Sequence, residues 1–289
     1  MMAEQLLLRK IPPVLRARDF YLYTQGGQRL VDLWQYGGAA VLGHTPPHVL
    51  RELKNTANRG LFTPFPHPLE NRLLKALSRI FPESTCRVYA DEASLRRALA
   101  EAGFPENRPF PDPAVFPDEP LSTPGPSLWR PFLQDQSAEN ASPRTPVTRQ
   151  GGSTELLVPV LPWALAPKVL VIGLRDEQVN RFPPSDILSP VLLTAAVRSI
   201  YDLIAAMPER GSVAFPHIPE ALAHSTWRRR GIYLYYPELL DAEQYSTLFL
   251  HFLESGFLLP PSENLPLILP GALSPGEEAK LAALLRFIP

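Results

Sequence analysis

The chain has 289 residues, of which 45% are hydrophobic and 20% charged, and its formal net charge is −1. These values allow one large or two modest cores and exclude the strongly basic surface typical of nucleic-acid or anionic-membrane binding. A single cysteine, Cys86, excludes an internal disulfide framework, and the leucine run at 6–8 is too short for a signal peptide or a membrane span. We expect a cytoplasmic protein in which Cys86 is a small core residue.

The first hundred residues predict a hairpin followed by helices. The predicted elements are a β-hairpin of residues 20–23 and 28–33, helices at 47–58 and 68–81, a strand at 86–90 and a helix at 92–102. Gly26 and Gly27 form the hairpin turn because glycine tolerates a positive φ. Pro47 and Pro68 suit the first turn of a helix, where the missing N–H costs nothing. Gly103 ends the last helix.

A proline-rich segment, residues 104–146, follows and is called the strap here. Proline lacks the N–H donor and fixes φ, so this segment predicts an irregular, partly extended connection without a regular helix or a central strand. Its aromatic residues favour a strap packed on the protein surface over a solvated linker, since linkers carry few aromatics. An alternative is that its P-x-x-P strings bind a protein partner. The aromatics are Phe104, Phe110, Phe116, Trp129 and Phe132.

The second half predicts alternating strands and helices. They are a strand at 168–172, a buried helix within 182–207, a strand at 231–236, a helix at 242–255, a strand at 257–259 and a last helix that begins at Glu277 and Glu278. The apolar spacing of 182–207 is that of a core helix. The basic run 228–230 precedes the second of these strands and is interpreted as solvated charge or, alternatively, an anion site.

The string from Asp19 to Val49 reads DFYLYTQGGQRLVDLWQYGGAAVLGHTPPHV. It resembles the opening of the class III aminotransferases, pyridoxal-phosphate (PLP) enzymes of fold type I, including their L-G-H-x-x-P motif. The resemblance covers residues 19–102 and 185–288, and the segment 182–207 is similar to the helix that links the two domains of that family. It implies an α/β fold with a reduced large domain and a small α+β domain built from both termini. It also implies a homodimer, because the family forms its active sites at a two-fold interface.

On this resemblance the chain divides at residues 82 and 207. Residues 1–82 form an N-terminal segment that contributes to the small domain and to the dimer contact. Residues 83–207 form the shortened large domain with the strap, and residues 208–289 form the C-terminal small domain. His44, in the L-G-H motif, is interpreted as a turn histidine bonded to the backbone, because no partner carboxylate lies at a fixed spacing.

The family's mechanism needs three features that this sequence alters. Its phosphate turn, S-G-T/S-E-A, aligns with the string YADEA at 89–93, so Asp91 replaces the hydroxyl and is expected to cap its own helix. The Schiff-base lysine has no counterpart, since no lysine lies between Lys168 and Lys280. The arginine that binds the substrate carboxylate is replaced by Leu267 or a close neighbour.

Two residues remain as candidate cofactor ligands. Asp176 superficially resembles the aspartate that pairs with the pyridine nitrogen of PLP, although a solvated turn is the alternative. Lys168 is the conceivable substitute Schiff-base lysine, and otherwise a strand-start lysine in water. We therefore expect a non-catalytic, aminotransferase-like binding, regulatory or structural dimer without a cofactor or metal. The alternatives are an enzyme that retains PLP through Lys168 or noncovalently, and a regulatory subunit of a complete paralogue.

Overall fold

The computed structural model of the chain describes residues 2–105, 109–115, 125–133, 156–163, 165, 169–210, 213, 215–238 and 240–287. The helices are α1 (Met2–Leu8), α2 (Pro47–Ala57), α3 (Leu69–Leu77), α4 (Glu92–Glu101), α5 (Pro190–Arg210), α6 (Ile218–Ala223), α7 (Ala242–Glu254) and α8 (Pro275–Leu284). The strands are β1 (Val14–Arg18), β2 (Tyr21–Thr24), β3 (Arg29–Asp32), β4 (Thr85–Tyr89), β5 (Pro126–Trp129), β6 (Leu156–Pro159), β7 (Leu170–Leu174), β8 (Arg228–Arg230), β9 (Tyr233–Tyr235), β10 (Phe257–Leu258) and β11 (Leu267–Ile268).

The chain divides into two compact units. Unit 1 contains Met1–Thr45, Pro208–Pro289 and a short piece that includes Phe132 and Leu133, so both ends of the chain belong to it. Unit 2 contains Pro46–Pro131 and the segment that ends at Met207. Residues 46–82 thus belong to unit 2 and not, as the resemblance implied, with residues 1–45.

Unit 1 carries two small sheets. The first has the order β1-β2-β3-β10, with β10 parallel to β3 and the other pairs antiparallel. The predicted hairpin is β2 and β3, and its turn has Gly27 at a φ of 78°. The second sheet is antiparallel, in the order β11-β9-β8. The predicted basic run 228–230 does not precede this sheet but is its edge strand β8, paired residue by residue with β9.

Unit 2 has a four-stranded sheet in the order β4-β7-β6-β5. The pairs β4/β7 and β7/β6 are antiparallel, and β6/β5 is parallel. One core cluster packs helix α4 and Phe182 against this sheet. Cys86 on β4 is buried, as expected for a core residue, and burial raises its pKa to about 12.

The described part of the strap is more regular than predicted. Residues 126–129 form strand β5, which pairs with β6 at the edge of the sheet, where Pro126 does not need its missing donor. Trp129 is buried and packs edge-to-face on Phe81, with ring centroids 4.9 Å apart. Phe104 and Phe110 pack against the unit 2 core. Phe116 lies outside the described residues, and the role of the strap as an insertion stays a prediction.

Helix α5 is the one described helix that is long and apolar enough to cross a membrane by length and composition. Half of its apolar window is buried inside the protein, and a core helix of a soluble protein passes the same test. This is the helix that the apolar spacing of 182–207 predicted as buried. It begins at Pro190, and the preceding residues 183–189 have no regular structure.

Candidate functional site

The turn between β4 and α4 lies where the resemblance predicts a phosphate site. Asp91 is the N-cap of α4, and its Oδ1 accepts a hydrogen bond of 2.7 Å from the Ser94 N–H. This bond lowers the pKa of the Asp91 carboxyl. The capping role expected of Asp91 is confirmed. Asp91 thereby satisfies a helix N-terminal donor that a bound anion would otherwise accept from.

A second carboxylate reaches the same turn. Asp186, in the segment before α5, accepts a hydrogen bond of 2.9 Å from the Ala90 N–H through its Oδ2. The backbone of Asp186 also donates to the Val88 carbonyl oxygen, so the 185–186 segment runs alongside the end of β4. Two negative charges therefore lie at this turn. Nothing in the local sequence signalled the Asp186 contact, because 96 residues separate it from Ala90.

The described lysines do not fit a Schiff-base role. Lys10, Lys54, Lys75 and Lys280 are all exposed, whereas a lysine that forms an internal aldimine needs a site that holds the ring. Lys168 lies outside the described residues. If residues 167–178 are matched to the segment that follows the family's catalytic lysine, the lysine position falls near Pro159 or Val160, and Pro159 is the last residue of β6.

Asp176 lies at the surface. It begins the 3-10 helix Asp176–Arg181 directly after β7, and both Asp176 and Glu177 are exposed. An aspartate that pairs with a pyridinium nitrogen is expected to lie inside a cofactor pocket. The described candidates do not fit PLP. They are the Asp91 and Asp186 carboxylates at the phosphate turn, Asp176 and the exposed lysines. Lys168 as a substitute Schiff-base lysine stays a prediction.

The loop after β3 in unit 1 holds a buried carboxylate that the sequence analysis did not single out. The Asp32 side chain is 2% exposed, and its Oδ1 accepts hydrogen bonds from the Trp34 and Gln35 N–H groups at 2.9 and 2.8 Å. Its Oδ2 lies 2.7 Å from Nε2 of His44. His44 is bonded to the backbone as expected, through its own N–H, which donates to the Asp19 oxygen. The expectation that it has no partner carboxylate is wrong, because its ring contacts Asp32. The sequence did not indicate this contact, because Asp32 and His44 lie 12 residues apart across a loop.

The same loop makes a left-handed turn. Gln35 and Tyr36 have φ values of 47° and 52°, and Gly37 and Gly38 follow with positive φ. Each non-glycine residue in this region costs on the order of 1 kcal/mol, so the surrounding contacts must hold the turn in place. Asp32 does so through the Gln35 N–H, and the Gln35 side chain donates to the Ile268 oxygen at 3.0 Å.

The position expected for a substrate-binding arginine is apolar. Leu267 is buried in β11. An arginine from elsewhere in the sequence reaches this segment instead: Arg210, the last residue of α5, donates from Nη2 to the Leu269 oxygen at 2.7 Å. A charged residue that ends an apolar helix usually lies in water, so the sequence did not indicate that Arg210 is buried.

The arginines of β8 mainly contact their own loop. Arg228 donates from Nη1 to the carbonyl oxygens of residues 225–227, and Arg229 donates from Nε to the Gly231 oxygen at 2.7 Å. Burial lowers the pKa of Arg229. Among the described residues, no group of three or more His, Cys, Asp or Glu side chains is arranged to bind a metal.

Comparisons with known proteins agree with the geometry of the fold. No family model matches the chain. An uncharacterized protein of Treponema pallidum is 27% identical over 309 residues, which cover 91% of each chain. Glutamate-1-semialdehyde 2,1-aminomutase of Thermus thermophilus is 38% identical over 72 residues, covering 25% of this chain and 17% of the aminomutase.

Solved structures share the fold over nearly the whole chain. The ornithine δ-aminotransferase of Plasmodium falciparum superposes with a TM-score of 0.67 at 13% identity, covering 96% of this chain and 92% of that one. The chain therefore has the fold of the class III aminotransferases, the fold type I architecture of PLP-dependent transferases, in a shortened form of 289 residues.

Proposed function

We propose that this chain is a non-catalytic aminotransferase-fold protein that serves as a binding, regulatory or structural component. The observation that carries the proposal is the occupied turn between β4 and α4. The Ala90 and Ser94 N–H groups donate to the Asp186 and Asp91 carboxylates, at 2.9 and 2.7 Å. A phosphate dianion would have to displace both carboxylates and would be repelled by their charge.

Two further observations support the proposal. The four described lysines are exposed, and Leu267 replaces the expected arginine with a buried apolar side chain. The relative from Treponema pallidum matches over 91% of its own length, so it has a similar reduced size. A scaffold of this size in a second organism is consistent with a role that does not need the complete enzyme.

Reduction with borohydride tests the proposal directly. The purified chain is incubated with PLP, desalted, reduced and digested, and the labelled lysines are identified by mass spectrometry. We expect no visible aldimine band after desalting and only low, similar labelling of the exposed lysines. Lys168→Ala serves as the matched variant and should behave like the unmodified chain. A persistent band that Lys168→Ala removes would show that the chain retains PLP through Lys168 and would overturn the proposal.

We also propose that the chain forms a homodimer and works in the cytoplasm. The dimer follows from the resemblance, and exposed aromatic side chains support it. Phe62 and Phe65, between α2 and α3, are 62% and 55% exposed. Exposed aromatics so close together are typical of contact surfaces. Light scattering at micromolar concentration should give a mass near twice 32.2 kDa, and Phe62→Ser with Phe65→Ser should shift it toward the monomer. A monomeric mass for the unmodified chain would contradict the dimer.

A regulatory subunit of a complete paralogue is the remaining alternative. It predicts that the chain co-purifies in a fixed ratio with a full-length aminotransferase of the same cell. The homodimer proposal predicts instead that the chain alone accounts for the whole mass of its complex.

A further inference from the structure

Strand β1 (Val14–Arg18) forms the outer edge of the first sheet of unit 1. The order β1-β2-β3-β10 places β2 on one side of it, and no described strand lies on the other. An uncovered edge presents backbone N–H and C=O groups with which another polypeptide strand can pair. The burial of this strand is also unusual, because four of its five side chains are exposed and the fifth, Ala17, is half-buried.

The register of the sheet shows which backbone groups of β1 face outward. On β2, the Thr24 N–H donates to the Gln28 oxygen, on the side of β3. Hydrogen bonding alternates along an antiparallel strand, so Tyr23, one residue earlier, bonds to β1. Its partner there is Arg16. The next residue, Ala17, therefore directs its N–H and C=O away from the sheet, and neither group has a hydrogen bond among the described residues.

Apolar side chains are exposed at this edge. Leu15, at 71%, is the most exposed large hydrophobic side chain in the described part of the chain, and Val14 is 43% exposed. Leu15 is the extra residue of a β-bulge, since Val14 pairs with Thr24 and Arg16 pairs with Tyr23. Bulges and charges usually protect a sheet edge from other strands. Such protection uses polar side chains, so it does not explain an exposed leucine at the bulge.

The same stretch of chain is strongly basic. Residues 5–18 contain no acidic residue, whereas the whole chain has a net charge of −1. The four exposed cations of the stretch are Arg9, Lys10, Arg16 and Arg18. Within the described residues, Arg18 alone of these has an ion pair, with Asp19 at 3.5 Å, and both side chains are more than half exposed. An exposed pair contributes little, so most of this positive charge is available to a partner.

These features define the chemistry of a partner. The outward groups of Ala17 match an extended segment that offers both a donor and an acceptor, Leu15 matches an apolar side chain, and the cations match carboxylates. A second copy of the chain does not meet the last condition. In a two-fold antiparallel pair centred on Ala17, Arg16 of each copy would lie opposite Arg18 of the other, and like charges directly opposite each other are destabilising.

We propose that the outer edge of β1 binds an extended segment of a partner protein, in which acidic and apolar residues alternate, as a further strand of the sheet. The proposal names a partner class for the binding role proposed above and rests on that role. Residues 16–18 provide the backbone hydrogen bonds and the charge, and Leu15 provides the apolar contact.

Fluorescence anisotropy of the full chain with a labelled peptide tests the site. The probe is a fluorescein-labelled peptide of about eight residues in which glutamate and valine alternate. The comparison peptide has lysine in place of glutamate. The acidic peptide should bind saturably, and the basic peptide at least about tenfold more weakly, because it meets like charge. Equal binding of the two peptides would overturn the proposal. Tighter binding to vesicles of phosphatidylcholine and phosphatidylglycerol than to the acidic peptide would overturn the polypeptide class.

Two pairs of variants test the strand edge and its apolar contact. Ala17→Pro removes the outward N–H at an edge position that tolerates proline, whereas Ala17→Val keeps it. The proline variant should weaken peptide binding about fivefold, the loss expected for one hydrogen bond, and the valine variant should not. Leu15→Ser should weaken binding about tenfold. Leu50→Ser, at a 40% exposed position of unit 2, is its control and should bind normally.

Charge reversal tests the complementarity. Arg16→Glu with Arg18→Glu should transfer the preference from the acidic to the basic peptide. The matched control is Arg51→Glu with Arg59→Glu, which changes the net charge equally at exposed positions of unit 2. Arg51 also forms an exposed pair with its neighbour, Glu52, at 3.6 Å. This control should still prefer the acidic peptide.

The outcomes are distinct from those of the PLP experiment. Binding that persists unchanged in both Ala17→Pro and the Arg16 and Arg18 reversal would overturn the site. Light scattering in which Ala17→Pro lowers the mass of the chain would show that a second copy covers the edge, and would also overturn the proposal. Neither result changes the aldimine band or the lysine labelling on which the proposed function is tested.

Discussion

Arg130 in unit 2 and Arg210 in unit 1 are both more than nine-tenths buried, but their surroundings differ. Arg130 donates to the buried Asp112 carboxylate through Nε and Nη2, at 2.6 to 2.9 Å, and the ion pair joins two described parts of the strap. Among the described residues, Arg210 has no carboxylate partner and donates to one carbonyl oxygen. The first arginine has a counter-charge, and the second has none within the described part of the chain. The buried fraction of an arginine therefore does not tell whether its charge is paired. Its hydrogen-bond and ion-pair partners do.

The largest effect is expected at Arg130. Arg130→Met leaves Asp112 charged, buried and unpaired, so the free energy of unfolding should fall by about 3–5 kcal/mol. Chemical denaturation measures the loss. The double variant Arg130→Met with Asp112→Leu should recover most of it, and Arg59→Met, at an exposed position, should change little. A loss below about 1 kcal/mol for Arg130→Met would remove the contrast with Arg210.

Asp32 tests whether the stability effect of a buried charge depends on its pairing or on the unit in which it lies. It lies in unit 1, as Arg210 does, but its carboxylate has three partners, one of which is His44. His44→Ala should lower the free energy of unfolding by about 1–3 kcal/mol, because a buried acceptor loses a partner. His224→Ala, at an exposed position, is the control. Equal stability of the two variants in a denaturant titration would show that water replaces His44 without loss.

Asp91 is paired like Asp112 but fully exposed, so a smaller effect is expected. Its pKa is lowered by the Ser94 N–H, which means that the carboxylate stabilises the folded state above its unfolded pKa. This contribution is lost as the pH falls through the folded pKa. Asp91→Ala should therefore lower the unfolding midpoint at pH 7, and the difference should disappear in acid. A difference that stays constant down to pH 2 would show that the charge plays no part.

The smallest effect is expected at Arg210. Arg210→Met removes a buried charge that has no carboxylate partner among the described residues, so the free energy of unfolding should stay within about 1 kcal/mol of the original or rise. The measurement is the same denaturant titration that is applied to Arg130→Met. A loss as large as that of Arg130→Met would mean that the fold itself satisfies Arg210, and the comparison between the two arginines would fail.

Local patterns predicted much of the fold. The Gly26-Gly27 hairpin, the helices that begin near Pro47 and Pro68, and the Asp91 cap are all present where the sequence placed them. These features depend on neighbouring residues, through turn geometry, the missing proline donor and capping, so a single sequence contains their signal. Strand β5 was missed because proline content argued against it, whereas an edge position tolerates proline.

The candidate sites were harder to predict because their partners are distant in sequence. The sequence by itself determined which residue types are present: Asp91 at the phosphate turn, no lysine between 168 and 280, and Leu267 in place of an arginine. Only the tertiary structure brought Asp186 to the Ala90 N–H, Asp32 to His44 and the Arg210 guanidinium to Leu269. The reason is physical: a residue's charge is fixed by its type, but its burial and its partners depend on chain segments that pack together only in the folded protein.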